Sequence, residues 1–209
     1  MKNQKSKCLS LTLAIVMIFS TAYQSQSAPS LLNGNFQDLT GLTLTTTGWY
    51  RGVPTGWSSA TGDLGYNVID WNAGNLGANI QTLGPASPYA PLYQSAGLLD
   101  SAGKVTLTFN ILGLSGTSGM AAGIYRANLD GTPVTTFDSL ITATYSETSS
   151  SLQTLEVLDV AAGTRVGVAF WSWAGSPGVD NVSLVPEPST STLLLLGFAG
   201  VAALRRRRC

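Results

Sequence analysis

Strict alternation of apolar and polar positions is the clearest pattern in this chain. In Lys104–Asn110 (KVTLTFN), Val105, Leu107 and Phe109 fall on one side and Lys104, Thr106, Thr108 and Asn110 on the other. That is the period of a half-buried β-strand. Arg165–Trp173 (RVGVAFWSW) alternates too. Val166, Val168 and Phe170 share the side expected to face the core, which puts Trp171 and Trp173 together on the other. Further strands are predicted at Leu42–Thr47, Tyr66–Trp71, Ala78–Leu83, from Leu92 onward, at Met120–Ala127, within Thr135–Tyr145, and at Leu152–Val160 and Val179–Val185. A short apolar strand is expected from Pro29 into an Asn33-Gly34 turn. Trp49–Trp57, broken by glycine and proline, reads as a loop or the start of a strand. No stretch between the two ends of the chain carries a capped helical stripe, and no repeat of fixed period occurs. Many short strands separated by Gly, Ser and Thr turns predict an all-β domain, a sandwich or barrel.

The two ends break this pattern. At the start, Lys2, Lys5 and Lys7 precede an apolar run of 11 residues, Leu9–Phe19, and then small residues. This is the layout of a secretory signal peptide, with cleavage expected after Ala22 or near Ser27–Ala28. Eleven apolar residues are too few to span a bilayer. At the other end, Pro186-Glu187-Pro188 is followed by the apolar run Leu193–Leu204 and then by Arg205, Arg206, Arg207 and Arg208. The prolines are expected to keep the linker extended and apart from any neighbouring strand. Ser189–Leu204 would make about 24 Å of helix, short against a bilayer core of about 30 Å, and the arginines resist translocation.

This order of parts closely resembles the bacterial PEP-CTERM sorting signal. The resemblance implies export, a transient stay in the inner membrane and recognition by an exosortase-type membrane protease. It further implies loss of the tail and delivery to the cell surface, outer envelope or exopolysaccharide matrix. The expected organisation is therefore a signal peptide at 1–28, a β-domain at 29–185 and the sorting signal with its membrane helix at 186–209.

The formal net charge of zero conceals an acidic domain. Seven of the 11 basic residues lie in the two ends, leaving Arg51, Lys104, Arg126 and Arg165 against ten acids between Asp38 and Asp180. The domain is thus near −6, without the basic patch that nucleic acid requires. Both cysteines, Cys8 and Cys209, also lie in the ends, so the domain has no disulfide despite the expected export.

The segments LLNGNF, PTGW, LYQSAGLLDSAGKVTLTFN, AAGTRVGVAF and GVDNVSL occur in the order seen in galactose-binding-like jelly rolls. They resemble the carbohydrate-binding modules of families 4 and 9. The resemblance spans nearly all of Leu31–Val185 and implies a jelly-roll β-sandwich. It also implies a structural role for Trp57, and a structural calcium tied to Asp180 with backbone carbonyls near Asn33–Phe36.

Candidate chemistry is bounded by what the domain lacks. Without His or Cys it has no Ser-His-Asp triad, thiol nucleophile or ordinary zinc site. A carboxylate pair acting on a glycosidic bond is the remaining catalytic route, but Glu147 and Glu156 form no recognisable motif. The aromatics offer more. An indole stacks on the apolar face of a sugar, and Trp171 and Trp173, about 7 Å apart on one strand face, are the candidate carbohydrate platform. The reading is a non-catalytic surface or matrix protein with carbohydrate binding as its leading activity. The alternatives are a purely structural matrix protein and a glycan-active enzyme using carboxylates alone.

Overall fold

The computed structural model describes residues 29–59, 66–70, 74–80, 91–113, 119–128, 138–146 and 152–188. All regular elements among them are strands: β1 (Thr43–Thr46), β2 (Trp49–Arg51), β3 (Ser58–Ser59), β4 (Tyr66–Asp70), β5 (Leu76–Ile80), β6 (Leu92–Leu98), β7 (Gly103–Leu112), β8 (Gly119–Arg126), β9 (Ser139–Ser146), β10 (Leu152–Val160), β11 (Arg165–Ala174) and β12 (Gly178–Pro188). The expected signal peptide, Trp71, Glu147, the apolar tail and Arg205–Arg208 lie outside the described residues. Among the described residues no helix is long and apolar enough to cross a membrane.

The strands form two antiparallel sheets. One has seven strands in the order β1-β2-β4-β5-β12-β7-β10, the other five in the order β3-β6-β11-β8-β9. From β6 onward the chain shuttles between them. β8 and β9 are paired neighbours in one sheet, while β7, β10 and β12 return to the other. Sequence-distant strands therefore become partners, β11 between β6 and β8, β12 between β5 and β7. This is a jelly-roll β-sandwich, as the strand pattern and its resemblance implied.

Alternation places the core between the sheets. Val105, Leu107 and Phe109 of β7 are fully buried, as are Val166, Val168 and Phe170 of β11. Phe170 and Phe109 meet edge to face across the sandwich at 5.1 Å, and Phe109 meets Tyr145 at 5.5 Å. Trp57 continues the chain of rings, 6.0 Å from Phe170 and 5.2 Å from Phe36, and its indole N–H donates to the Asn33 carbonyl at 3.2 Å. Burying each such ring contributes about 1.5–3 kcal/mol, and each edge-to-face pair adds about 0.5–1.5 kcal/mol. Trp57 is thus structural, and the parity expected for β11 holds.

Two predicted features differ. The segment before Asn33 is not a strand, although the Asn33–Phe36 turn forms, with the Phe36 N–H on the Asn33 carbonyl. The Ser30 N–H donates to the Ala96 carbonyl of β6 at 3.0 Å, and the buried Gln94 amide accepts from the Leu32 N–H and donates to the Leu32 carbonyl, so the segment is tied to β6 without a regular ladder. At the other end, the prolines do not keep the linker off the sheet. β12 runs through Pro188, with Pro186 opposite Val105, Glu187 opposite Lys104 and Pro188 opposite Gly103. Among the described residues no strand flanks β12 beyond Val179 on the side of β5, and proline is tolerated at such an edge.

Candidate functional site

The outward face of the five-stranded sheet follows from register. Val166, Val168 and Phe170 point inward, so Gly167, Ala169, Trp171 and Trp173 of β11 point out. Their partners on β8 are Tyr125, Gly123 and Ala121, with Gly119 at the strand's end, and on β9 Thr142, Thr144 and Ser146 follow. The outward positions of β8 beyond Tyr125 are thus nearly bare, Gly119, Ala121 and Gly123. They form a low strip between the indoles of β11 and the exposed hydroxyl residues of β9.

The indoles lean onto that strip. A Cβ placed on Gly119 would lie 2.4–2.5 Å from three atoms of the Trp173 ring, Nε1, Cε2 and Cζ2. These three atoms form one edge of the indole, so that edge packs onto Gly119. Trp173 remains 43% exposed, so much of the residue stays open to solvent. Trp171 is half-buried and packs against a small outer cluster of Tyr93, Tyr125, Ala127 and Ala169. Tyr93 and Tyr125 meet edge to face at 6.4 Å. Tyr125 lies over Gly167, where a Cβ would come within 2.6 Å of its ring. Burial pushes the Tyr125 phenol well above its ordinary value, so it stays protonated at any physiological pH. The sequence placed Trp171 and Trp173 on one outward face. It did not show the tyrosines or the glycines beneath the rings, although alternate Gly119 and Gly123 in a strand are a signal of close approach.

Asp180 lies in β12 on the other sheet. It is 2% exposed and sits where the β12–β7 register shifts between Asp180 and Ser183. Asn181, in the left-handed region at φ 50°, turns its N–H and side-chain amide onto the two carboxylate oxygens at 2.6 and 3.0 Å. Burial raises the carboxyl above its ordinary value, partly offset by the Asn181 backbone bond. None of the described cations pairs with it. The Asn33–Phe36 turn packs beside this bulge. The Val182 N–H donates to the Gly34 carbonyl at 2.8 Å, and a Cβ on Gly34 would collide with the Val182 carbonyl at 2.1 Å. No three acid, His or Cys side chains gather to hold a metal among the described residues. What the bulge offers a hard cation is one buried carboxylate, unpaired with any cation among the described residues, and backbone carbonyls, a donor type that suits calcium.

The sorting motif is the third predicted site. Glu187 pairs with Lys104 at 3.3 Å, and Lys104 is shared with Glu156 at 2.9 Å. The hydrogen bonds to Glu156 and then to Glu187 raise the Lys104 pKa above its ordinary value. Glu156 is thereby engaged in an ion pair on the solvent side of the seven-stranded sheet, and its partner in the carboxylate-pair idea, Glu147, is outside the described residues. The Lys104-centred cluster was not legible in the sequence, because its members come from three strands.

Comparison with known proteins bears on the fold and on the tail separately. Among solved structures, the chain is similar to TmCBM61, solved with β-1,4-galactotriose (15% identity, 77% of this chain and 100% of that one, TM-score 0.44). It is also similar to a structure described as "CBM4 structure and function" (18% identity, 76% and 100%, TM-score 0.44). A third is the CBM22-1 xylan-binding domain of Xyn10C from Paenibacillus barcinonensis (12% identity, 79% and 99%, TM-score 0.41). At such identities and TM-scores the likeness assigns no ligand to this chain. No curated protein matches it. The family model of the PEP-CTERM protein-sorting motif matches residues 184–208, which takes in Pro186, Glu187, Pro188 and all four arginines. The chain therefore carries a PEP-CTERM protein-sorting motif at its C-terminal end, the mark of an exported protein sorted to the cell surface.

Proposed function

We propose that this is a non-catalytic surface or matrix protein that an exosortase-type protease processes at its tail, and that it binds polysaccharide on the outward face of its five-stranded sheet. Trp173 and Trp171 supply the stacking surface, and the hydroxyl residues of β9 border it. One observation carries the reading: the Trp173 indole is braced by one edge on Gly119 while the residue stays 43% exposed. Bracing an apolar ring on the backbone removes much of the side-chain ordering that binding would otherwise cost, and its exposed surface suits the apolar side of a sugar ring.

The test is intrinsic tryptophan fluorescence of the purified protein, titrated with neutral and acidic soluble polysaccharides. A saturable shift that Trp173→Ala moves to about tenfold higher glycan concentration supports the reading. A folded protein that responds to no glycan would favour a structural matrix component without a small ligand. Repeating the titration with calcium and with chelator addresses the ion proposed at Asp180. A response that needs calcium would mean that the bulge must be pinned before the face is ordered.

A further inference from the structure

The structure places Pro186, Glu187 and Pro188 of the sorting motif in β12. In an antiparallel pair, alternate residues turn both backbone groups toward the partner strand, and those between turn them away. Pro186 and Pro188 are two apart, so both fit positions whose missing N–H would face the open edge. Glu187, between them, then turns its N–H and carbonyl toward β7. Its carboxylate is held from the same side, 3.3 Å from Lys104 Nζ. A cavity of about 170 Å³ adjoins this end, lined among others by Pro29, Leu99, Lys104, Pro186 and Glu187. The docked motif therefore presents an enzyme with an edge that has lost two donors to proline and a glutamate already engaged.

A protease that reads an extended segment takes hold of its backbone and of alternate side chains, much as an added strand does. Here the backbone groups of Glu187 face β7 and its side chain faces Lys104. We propose that Lys104 is a positioning residue for tail processing: it keeps Glu187 docked on β7, and the tail is read and cut only from chains whose Val185–Pro188 segment has peeled away. The cut breaks one backbone amide. Water, or a nucleophile in its place, takes the acyl group and gives up a proton to the leaving amine. Docking in this way lets the β-domain fold before its tail is released, and it makes Glu156, which competes for Lys104, a tuner of the release.

The proposal rests on the sorting reading above, and the experiment separates the two. The full chain is followed by pulse-chase in cells that process it, as wild type, Lys104→Gln and Glu156→Gln. Both changes are at the surface and leave the motif intact. Lys104→Gln is expected to speed tail loss about two- to fivefold, the range of one exposed ion pair. Glu156→Gln frees Lys104 for Glu187 and is expected to slow it. Amide hydrogen exchange at Glu187 should move the same way in each variant, with global unfolding unchanged. Opposite shifts of this kind do not arise from general destabilisation. Variants cut at the wild-type rate, or both shifted in one direction, would overturn the docking role and leave the sorting reading intact. A wild-type chain that keeps its tail would overturn both.

Discussion

On the five-stranded sheet the outward positions of β11 are Gly167, Ala169, Trp171 and Trp173, whereas on the seven-stranded sheet those of β7 are Lys104, Thr106, Thr108 and Asn110. Both rows alternate with buried apolar residues over one shared core, so the same periodicity built them. They differ in how the outward side chains are held. The indoles and tyrosines rest on bare backbone at Gly119 and Gly167, whereas Lys104 is held by charge, between Glu156 and Glu187. Packing against glycine fixes a ring in place and is indifferent to salt. An exposed ion pair is weak and screened. One face is suited to present a fixed surface, the other to hold something that must later let go.

Breaking the shared core should erase the contrast altogether. Phe170→Ala removes a fully buried ring that touches Phe109 and Trp57, and chemical unfolding should show a loss of about 3–5 kcal/mol. Gly119→Ala should strike the aromatic face alone. The added methyl needs the space of the Trp173 ring, so the indole must swing away, at about 1–3 kcal/mol. Trp173 emission should move to the red, with the Lys104 ion pairs untouched. Trp173→Ala should leave stability within about 1 kcal/mol, since the residue is well exposed. It should weaken glycan affinity about tenfold, the equivalent of one stacking contact.

Asp180 sharpens the contrast through pH. Burial holds its carboxyl above 3.8 in the folded state, so the folded chain binds that proton more tightly than the unfolded one. The stability this gives is complete below about pH 3.8 and is lost as pH rises through the folded-state value. In chelator at neutral pH, Asp180→Asn should therefore unfold at the same temperature as wild type or higher. If calcium sits at the bulge, millimolar calcium should raise the melting temperature of wild type and not of the variant. Equal response of both proteins would remove calcium from Asp180. The smallest effect expected is on Lys104. Its raised pKa means that its contribution is present below 10.5 and lost only as pH rises through the folded-state value, so the ion pairs should be flat in pH from 6 to 9.

Much of this was legible in the chain itself. Alternation in KVTLTFN and RVGVAFWSW gave two central strands and the inward parity of each, because a period of two leaves only two choices and burial decides between them. The order of parts at the tail gave the sorting motif, because proline, apolar and arginine segments each act by local chemistry. Less legible was Leu76–Ile80. All five residues are buried, so no alternation marks the strand, and the sequence set its start two residues late. The stretch before Asn33 has an apolar strand's composition, yet it is held by one backbone bond from Ser30 to Ala96 and by the distant Gln94 side chain on Leu32.

The sequence by itself determined the fold class, the sorting motif at the tail and which tryptophans share a face. All three rest on local rules: side-chain period, turn residues and the cost of moving charge across a bilayer. Only the tertiary structure decided that Trp173 packs on Gly119, that Asp180 is buried with no cation paired to it among the described residues, and that Glu187 is docked against Lys104 rather than free in a linker. Each of these depends on which strands become neighbours. In a jelly roll, partners such as β11 with β8 or β12 with β7 lie tens of residues apart, and no local pattern records the meeting of their side chains.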